Sequence, residues 1–144
     1  MAQETRCDVS RKPKRTINVG RATRGVTFDT GMLVALERRH AGALALLRAC
    51  RLSRASITIP AAVVAEWWRG THRALLESGR VEALTPELAE RAGELLARTA
   101  GSNAVDATVV ASAALRGDLV VTGDEHDLRE LAEFVSGVTV ERLR

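Results

Sequence analysis

The sequence predicts an α/β protein, a three-layer α/β/α sandwich with a mainly parallel sheet between two layers of helices. Three observations carry that expectation. Short β-branched runs such as GVTF (25–28), SITI (56–59) and LVVT (119–122) recur along the chain, and segments with helical periodicity follow them. Those runs are nearly continuously apolar, which is the pattern of strands covered on both faces. The chain has 144 residues, of which 46% are hydrophobic and only 3% aromatic with no Tyr, so it forms a single domain whose core is built from Ala, Val and Leu.

In order, residues 1–24 read as a basic, Pro-interrupted and disordered leader, and residues 25–144 as the folded domain. GVTFD (25–29) is a short buried strand that runs straight into a helix at TGMLVALERR. HAGALALLRACRL (40–52) is a second, strongly apolar helix. SITI is a strand, after which Pro60 stands as the first residue of the helix PAAVVAEWWRG. Residues 71–79 form a short helix ending at Gly79, and VEALT (81–85) is a short strand or turn. TPELAERAGELLART takes Thr85 as N-cap and Pro86 at its first position, with Leu88, Ala92, Leu95 and Leu96 facing the core. A helix around Asp106 stops at Gly117. DLVVTGD (118–124) is a strand with a turn, HDLRELAEF a helix, and GVTVERL a last strand.

The formal charge of +3 is unevenly divided. Residues 1–25 hold seven Lys and Arg against two acids, and the remainder holds 14 basic against 16 acidic residues. The body is therefore not a basic nucleic-acid-binding slab, although the leader can steer a polyanion through its field. No run approaches the roughly 20 apolar residues of a membrane span. The N-terminus lacks the apolar region of a signal peptide, so the expected location is cytoplasmic. Cys7 and Cys50 have neither zinc nor redox spacing, and a disulfide between them is not expected. His40, His72 and His126 follow no ligand spacing and read as surface residues.

Four carboxylates stand out, each with two readings. Asp29 closes the first strand and either caps the next helix or presents a carboxylate at the sheet edge. Asp124 closes the strand at 119–122 in the same way, or caps the helix that follows. Glu66 is the only acid in an otherwise apolar helix, and pairs with Arg69 at i+3 or faces inward. Asp106 lies about 160° around its helix from Thr108, off the polar stripe of Thr108, Ser112 and Arg116, on a face shared with Val109, Val110 and Ala113. It serves Asn103 in a helix cap, or it meets the other acids. In parallel sheets ligands gather outside the carboxyl ends of the strands. Four carboxylates brought together there repel and raise one another's pKa values unless a divalent cation neutralises them. A donor set of oxygens without His or Cys favours Mg²⁺ or Mn²⁺ over zinc.

Asp29-Thr30, the Glu66-Trp67-Trp68-Arg69-Gly70 run, Asp106-Ala107-Thr108-Val109-Val110-Ala111 and Val121-Thr122-Gly123-Asp124-Glu125-His126-Asp127-Leu128 together resemble the four acidic motifs of PIN-domain proteins. Their order and spacing are most similar to the VapC toxins of bacterial toxin–antitoxin pairs, over residues 26 to 142. The resemblance implies a metal-dependent endoribonuclease with Asp29, Glu66, Asp106 and Asp124 as the catalytic, metal-holding acids and Asp127 as a fifth, supporting acid. It implies that Thr30 and Thr122 orient carboxylates or a bound water. It further implies an RNA substrate, cut to leave a 5′-phosphate and a 3′-hydroxyl, a small cognate antitoxin covering the acidic cleft, and homodimerisation through helices. Arg69, Arg73 or the leader would grip phosphates, and helix 40–52 and the Trp67-Trp68 pair would supply partner surfaces or core. Gly31 departs from the family pattern, which has a second hydroxyl there, and the leader has no family counterpart.

Three other functions compete. FDTG (28–31) also spells the aspartic-protease signature, but here it runs into a helix rather than standing in an all-β frame. A phospho-acceptor receiver needs a lysine near its acids, and the only lysines are Lys12 and Lys14 in the leader. A catalytically silent PIN-like module that binds RNA or a protein without cutting remains the alternative, separable by metal-dependent cleavage.

Overall fold

A computed structural model describes residues 25–144; the expected leader lies outside the described residues. The strands among the described residues are β1 (Gly25–Phe28), β2 (Ser56–Pro60), β3 (Arg80–Glu82), β4 (Leu119–Thr122) and β5 (Thr139–Arg142). They form one sheet in the order β3-β2-β1-β4-β5 in which every pairing is parallel. Among the described residues, six α-helices cover it: α1 (Thr30–Glu37), α2 (Ala41–Ser53), α3 (Ala61–Trp67), α4 (Pro86–Leu96), α5 (Ala104–Arg116) and α6 (His126–Ala132). A 3-10 helix spans Arg73–Ser78.

The strand order explains the layers. The chain moves outward from β1 through β2 to β3, then returns to β4 and β5 on the other side of β1. Right-handed crossovers in opposite directions put their helices on opposite faces. Helix α1 accordingly packs with α2 and α3, and α5 packs with α4 and α6, which completes the three-layer α/β/α sandwich. The central strands β1 and β4 are buried along their whole length. Phe28, Met32, Leu33, Ile59, Leu119, Leu128 and Leu131 are the largest fully buried side chains.

Local signals place most boundaries. Thr85 accepts from the Leu88 amide (3.2 Å) with Pro86 following it in the first turn of α4, and Leu88, Ala92 and Leu95 are buried while Leu96 is half-buried. Helix α5 ends at Gly117, whose φ of 69° is the left-handed conformation glycine adopts without strain. Pro60 differs from expectation: it is the last residue of β2 and the N-cap of α3 rather than its first helical residue. Its fixed φ and missing N–H suit the end of a strand as well as the start of a helix.

The polar stripe Thr108–Ser112–Arg116 faces the interior. It is not a solvent face, because Thr108 and Ser112 are buried and Arg116 reaches back over the sheet. Trp67 ends α3 buried, with Nε1 donating to Glu37 (2.9 Å), whereas Trp68 follows the helix in extended conformation and is half-buried. Helix α2 buries Ala43, Leu46, Leu47 and Cys50 and leaves Leu52 82% exposed. Among the described residues, no helix is long and apolar enough to cross a membrane.

Candidate metal centre

Each of the four acids is delivered to the carboxyl edge of the sheet by local structure. Asp29 follows β1 directly and caps α1, its Oδ1 accepting from the Met32 amide (2.8 Å). Thr30 does not cap the helix; its hydroxyl donates to Glu66 Oε2, across from α1 to the last turn of α3. Glu66 makes no ion pair with Arg69, whose guanidinium donates to the Trp68 carbonyl instead (2.7 Å). Asp106 stands in the first turn of α5, where the Asn103 side chain accepts from the Asp106 amide (2.9 Å) and donates to Asp106 Oδ2 (3.1 Å). Asp124 lies two residues beyond β4 in a turn that the Thr122 hydroxyl closes, donating to the Asp124 carbonyl (2.9 Å) and accepting from its amide (3.1 Å). Asp124 Oδ1 accepts from the His126 amide (3.3 Å) at the start of α6.

Capping and a role at the sheet edge are therefore compatible. In the hydrogen bonds just given, each carboxylate commits one oxygen. Among the described residues, the second oxygens of Glu66, Asp106 and Asp124 have no protein donor. Asp29 has the Thr122 hydroxyl nearby.

The electrostatics place these acids in one another's fields. The Asp106 carboxyl is pushed up from 3.8 to about 6, first by burial and then by repulsion from Asp29, Asp127, Glu66 and Asp124. The Asp29 carboxyl is also raised, chiefly by burial, with the Thr122 hydroxyl and Met32 amide opposing the rise and Glu66 adding to it. Mutual repulsion of this kind is what a divalent cation relieves, and an oxygen-only donor set suits Mg²⁺ or Mn²⁺.

Two open clefts reach the acids. One, of about 510 Å³, contains Thr30 and Glu66 and carries Arg38 and Arg69 on its walls. The other, of about 460 Å³, contains Asp124 with His126 and Arg142. A larger cavity, of about 740 Å³ along β5, contains none of the four acids. Arg73 lines neither cleft, while Arg38 and Arg142 escaped sequence reasoning because only the folded chain carries them to the acids. Among the described residues, His126, Asp127 and Glu130 bring donor atoms within 4.8 Å of one another, a grouping that Asp29, Glu66, Asp106 and Asp124 do not make, and the i, i+4 spacing of His126 and Glu130 was the available signal. His40, His72 and His126 are all exposed. His40 caps α2 through Nδ1 (3.2 Å to the Gly42 amide), and His72 meets Glu37 at 3.4 Å.

The FDTG run opens a helix beside a parallel sheet, so it has no aspartic-protease frame. The sequence matches the family model of the PIN domain over residues 26–134. No curated protein sequence matches the chain. Among solved structures, the chain is similar to VapBC2 from Rickettsia felis bound to a promoter DNA fragment, with a TM-score of 0.65 and 14% identity over 83% of this chain and 98% of that one. It is similar to VapC20 from Mycobacterium tuberculosis, a sarcin–ricin loop cleaving toxin, with a TM-score of 0.56 and 25% identity over 72% and 92%. It is also similar to DNA-bound VapBC from Salmonella typhimurium, with a TM-score of 0.59 and 18% identity over 83% and 98%.

Proposed function

Because the chain belongs to the PIN domain family, we propose that it is a Mg²⁺- or Mn²⁺-dependent endoribonuclease that acts as the toxin of a toxin–antitoxin pair. The observation that carries the reading is the convergence on Asp106 of charge from Asp29, Asp127, Glu66 and Asp124, each of the four principal acids tethered through one oxygen.

Asp29 and Asp106 are the foremost direct ligands, and Glu66 and Asp124 complete the set. When bound, the cation supplies an activated water and charge stabilisation for in-line phosphodiester hydrolysis. Thr30 holds the Glu66 carboxylate against α1, and Asn103 holds Asp106. Arg38 and Arg69 in one cleft and Arg142 in the other suit phosphates on either side of the acids. Burial of Asp29 excludes water from one side of the cluster. The setting is cytoplasmic, where RNA and a small antitoxin are both present. The VapBC complexes among similar structures support an antitoxin partner for this chain, and the exposed side of α2 with Leu44 and Leu52 is available to a partner or a second copy.

The test is incubation of the purified protein with total cellular RNA in Mg²⁺, Mn²⁺ or EDTA. Cleavage that requires the cation, leaves 5′-phosphate ends and disappears in Asp106→Asn is the expected result. Binding of RNA without cleavage under any cation would instead identify a silent PIN-like module.

A further inference from the structure

Helix α5 carries Asp106 in its first turn and buries mostly small side chains, including Ala107, Val109, Val110, Ala111 and Ala113. Burial of such a surface is favourable but non-directional, so it leaves the position of the helix along its own axis weakly specified. The directional contacts lie at the other end of α5. Arg116 donates from Nε to Asp118 (2.8 Å), from Nη1 to Glu82 (2.6 Å), and from Nη2 to Ser112 (2.8 Å) and Thr27 (3.2 Å). The Thr27 hydroxyl donates to Asp118 (2.8 Å) and the Ser112 hydroxyl to Glu82 (2.5 Å), which closes the network. Asp118 is 1% exposed. The guanidinium thus joins α5 to β1, to β3 and to the residue that precedes β4.

Those attachments matter for the acids. Thr27 lies two residues before Asp29 on β1, and Asp118 leads into β4, beyond which stands Asp124. We propose that Arg116 is a positioning residue for the candidate metal centre: its planar fork sets the axial register of α5 against β1 and β4, and so the placement of Asp106 opposite Asp29. The inference rests on the metal-centre reading above. A rigid helix transmits the setting over the ten residues from Arg116 to Asp106, about 15 Å at 1.5 Å per residue. A lysine keeps the charge but not the fork, and cannot satisfy four acceptors in one plane. Replacing a buried ion network by packed apolar side chains is often neutral or stabilising, so its presence here is not explained by stability alone.

The test uses the full chain and two measurements. Mn²⁺ binding is followed by calorimetry for wild type, Arg116→Lys, and a triple variant (Arg116→Met, Glu82→Gln, Asp118→Asn) that leaves no buried charge unpaired. Leu46→Ala, in α2 on the opposite face of the sheet, supplies a core defect away from α5 and the network. Amide NMR signals of residues 103–107 are compared in metal-free protein. Arg116→Lys and the triple variant are expected to weaken Mn²⁺ binding about tenfold or more and to move the 103–107 signals, while Leu46→Ala does neither. Unchanged 103–107 signals in both Arg116 variants, or Mn²⁺ binding equal to wild type, would overturn the proposal. Absence of Mn²⁺ binding in wild type would instead sink the metal-centre reading, and the amide signals would still decide the register.

Discussion

The Thr30 hydroxyl donates to the Glu66 carboxylate, joining the first turn of α1 to the last turn of α3 across 36 residues of sequence. Asp29 immediately precedes that threonine, so one bond relates a strand-end acid to a helix acid. Thr30→Val removes the donor at nearly constant volume. Stability is expected to fall by about 1 kcal/mol, and the Mn²⁺ midpoint in a thermal-shift titration to rise, with Thr30→Ser restoring both. A wild-type Mn²⁺ midpoint in Thr30→Val would show that Glu66 needs no such orientation.

Asp106→Asn relieves the most crowded carboxylate while retaining an oxygen for Asn103. Metal-free protein at pH 7 is expected to gain stability on the order of 1–2 kcal/mol, discounted because Asp106 stays partly open to solvent. RNA cleavage and stabilisation by Mg²⁺ should both be lost. Urea unfolding with and without Mg²⁺ checks this, and a less stable metal-free variant would show that repulsion at this site is minor.

Burial, with the repulsion adding to it, fixes the sign of the pH dependence. Asp106 is raised from 3.8 to about 6, so in that window the folded state binds more protons than the unfolded state. Stability of metal-free protein must then fall as pH rises from about 4 to about 6, the penalty being complete above the folded value. Asp29, raised as well, acts in the same direction. Melting curves across this range should flatten when saturating Mg²⁺ is present. A metal-free stability that rises through the window would exclude the repulsive cluster.

Gly31 lies in the first turn of α1, where an added Cβ would stand 3.5 Å from both Asp29 carboxylate oxygens and 3.4 Å from the Gly123 amide nitrogen. These are ordinary contacts, so Gly31→Ala should fit and stabilise by roughly 0.5 kcal/mol through helix propensity. Chemical denaturation measures it, and a loss above 1 kcal/mol would mean that the acid turn has no room for a side chain.

Burial pushes the Cys50 thiol up to about 11. Native protein should therefore react with a thiol reagent at Cys50 only on unfolding, as followed by peptide mapping. Rapid native labelling of Cys50 would place α2 off the core.

Much of this molecule is legible in short stretches. Asn103, Thr85 and Asp29 cap helices through contacts three residues away, and Gly117 ends α5 by its own φ. The strand-end positions of Asp29 and Asp124 followed from the rule for parallel sheets, and Asp106 was set apart by its helix angle. The polar stripe of α5 was legible as a stripe but not as an interior one, because Thr108 satisfies its hydroxyl within the helix (2.7 Å to the Ala104 carbonyl) and Ser112 satisfies its own on Glu82. A polar residue reads as solvent-facing until its distant partner is known.

The sequence by itself determined which segments become strands and helices, where most of them begin and end, and which acids stand at strand ends, since each of these depends on a few neighbouring residues. Only the tertiary structure decided the strand order β3-β2-β1-β4-β5, the hand-off from Thr30 to Glu66, and the closure of Arg116 on Thr27, Glu82 and Asp118. The bond from Thr27 to Asp118 spans 91 residues, and no local propensity encodes a partner at that distance. Such pairs exist because burying the apolar faces of the strands and helices brings them together, and the polar groups carried inward must then satisfy one another.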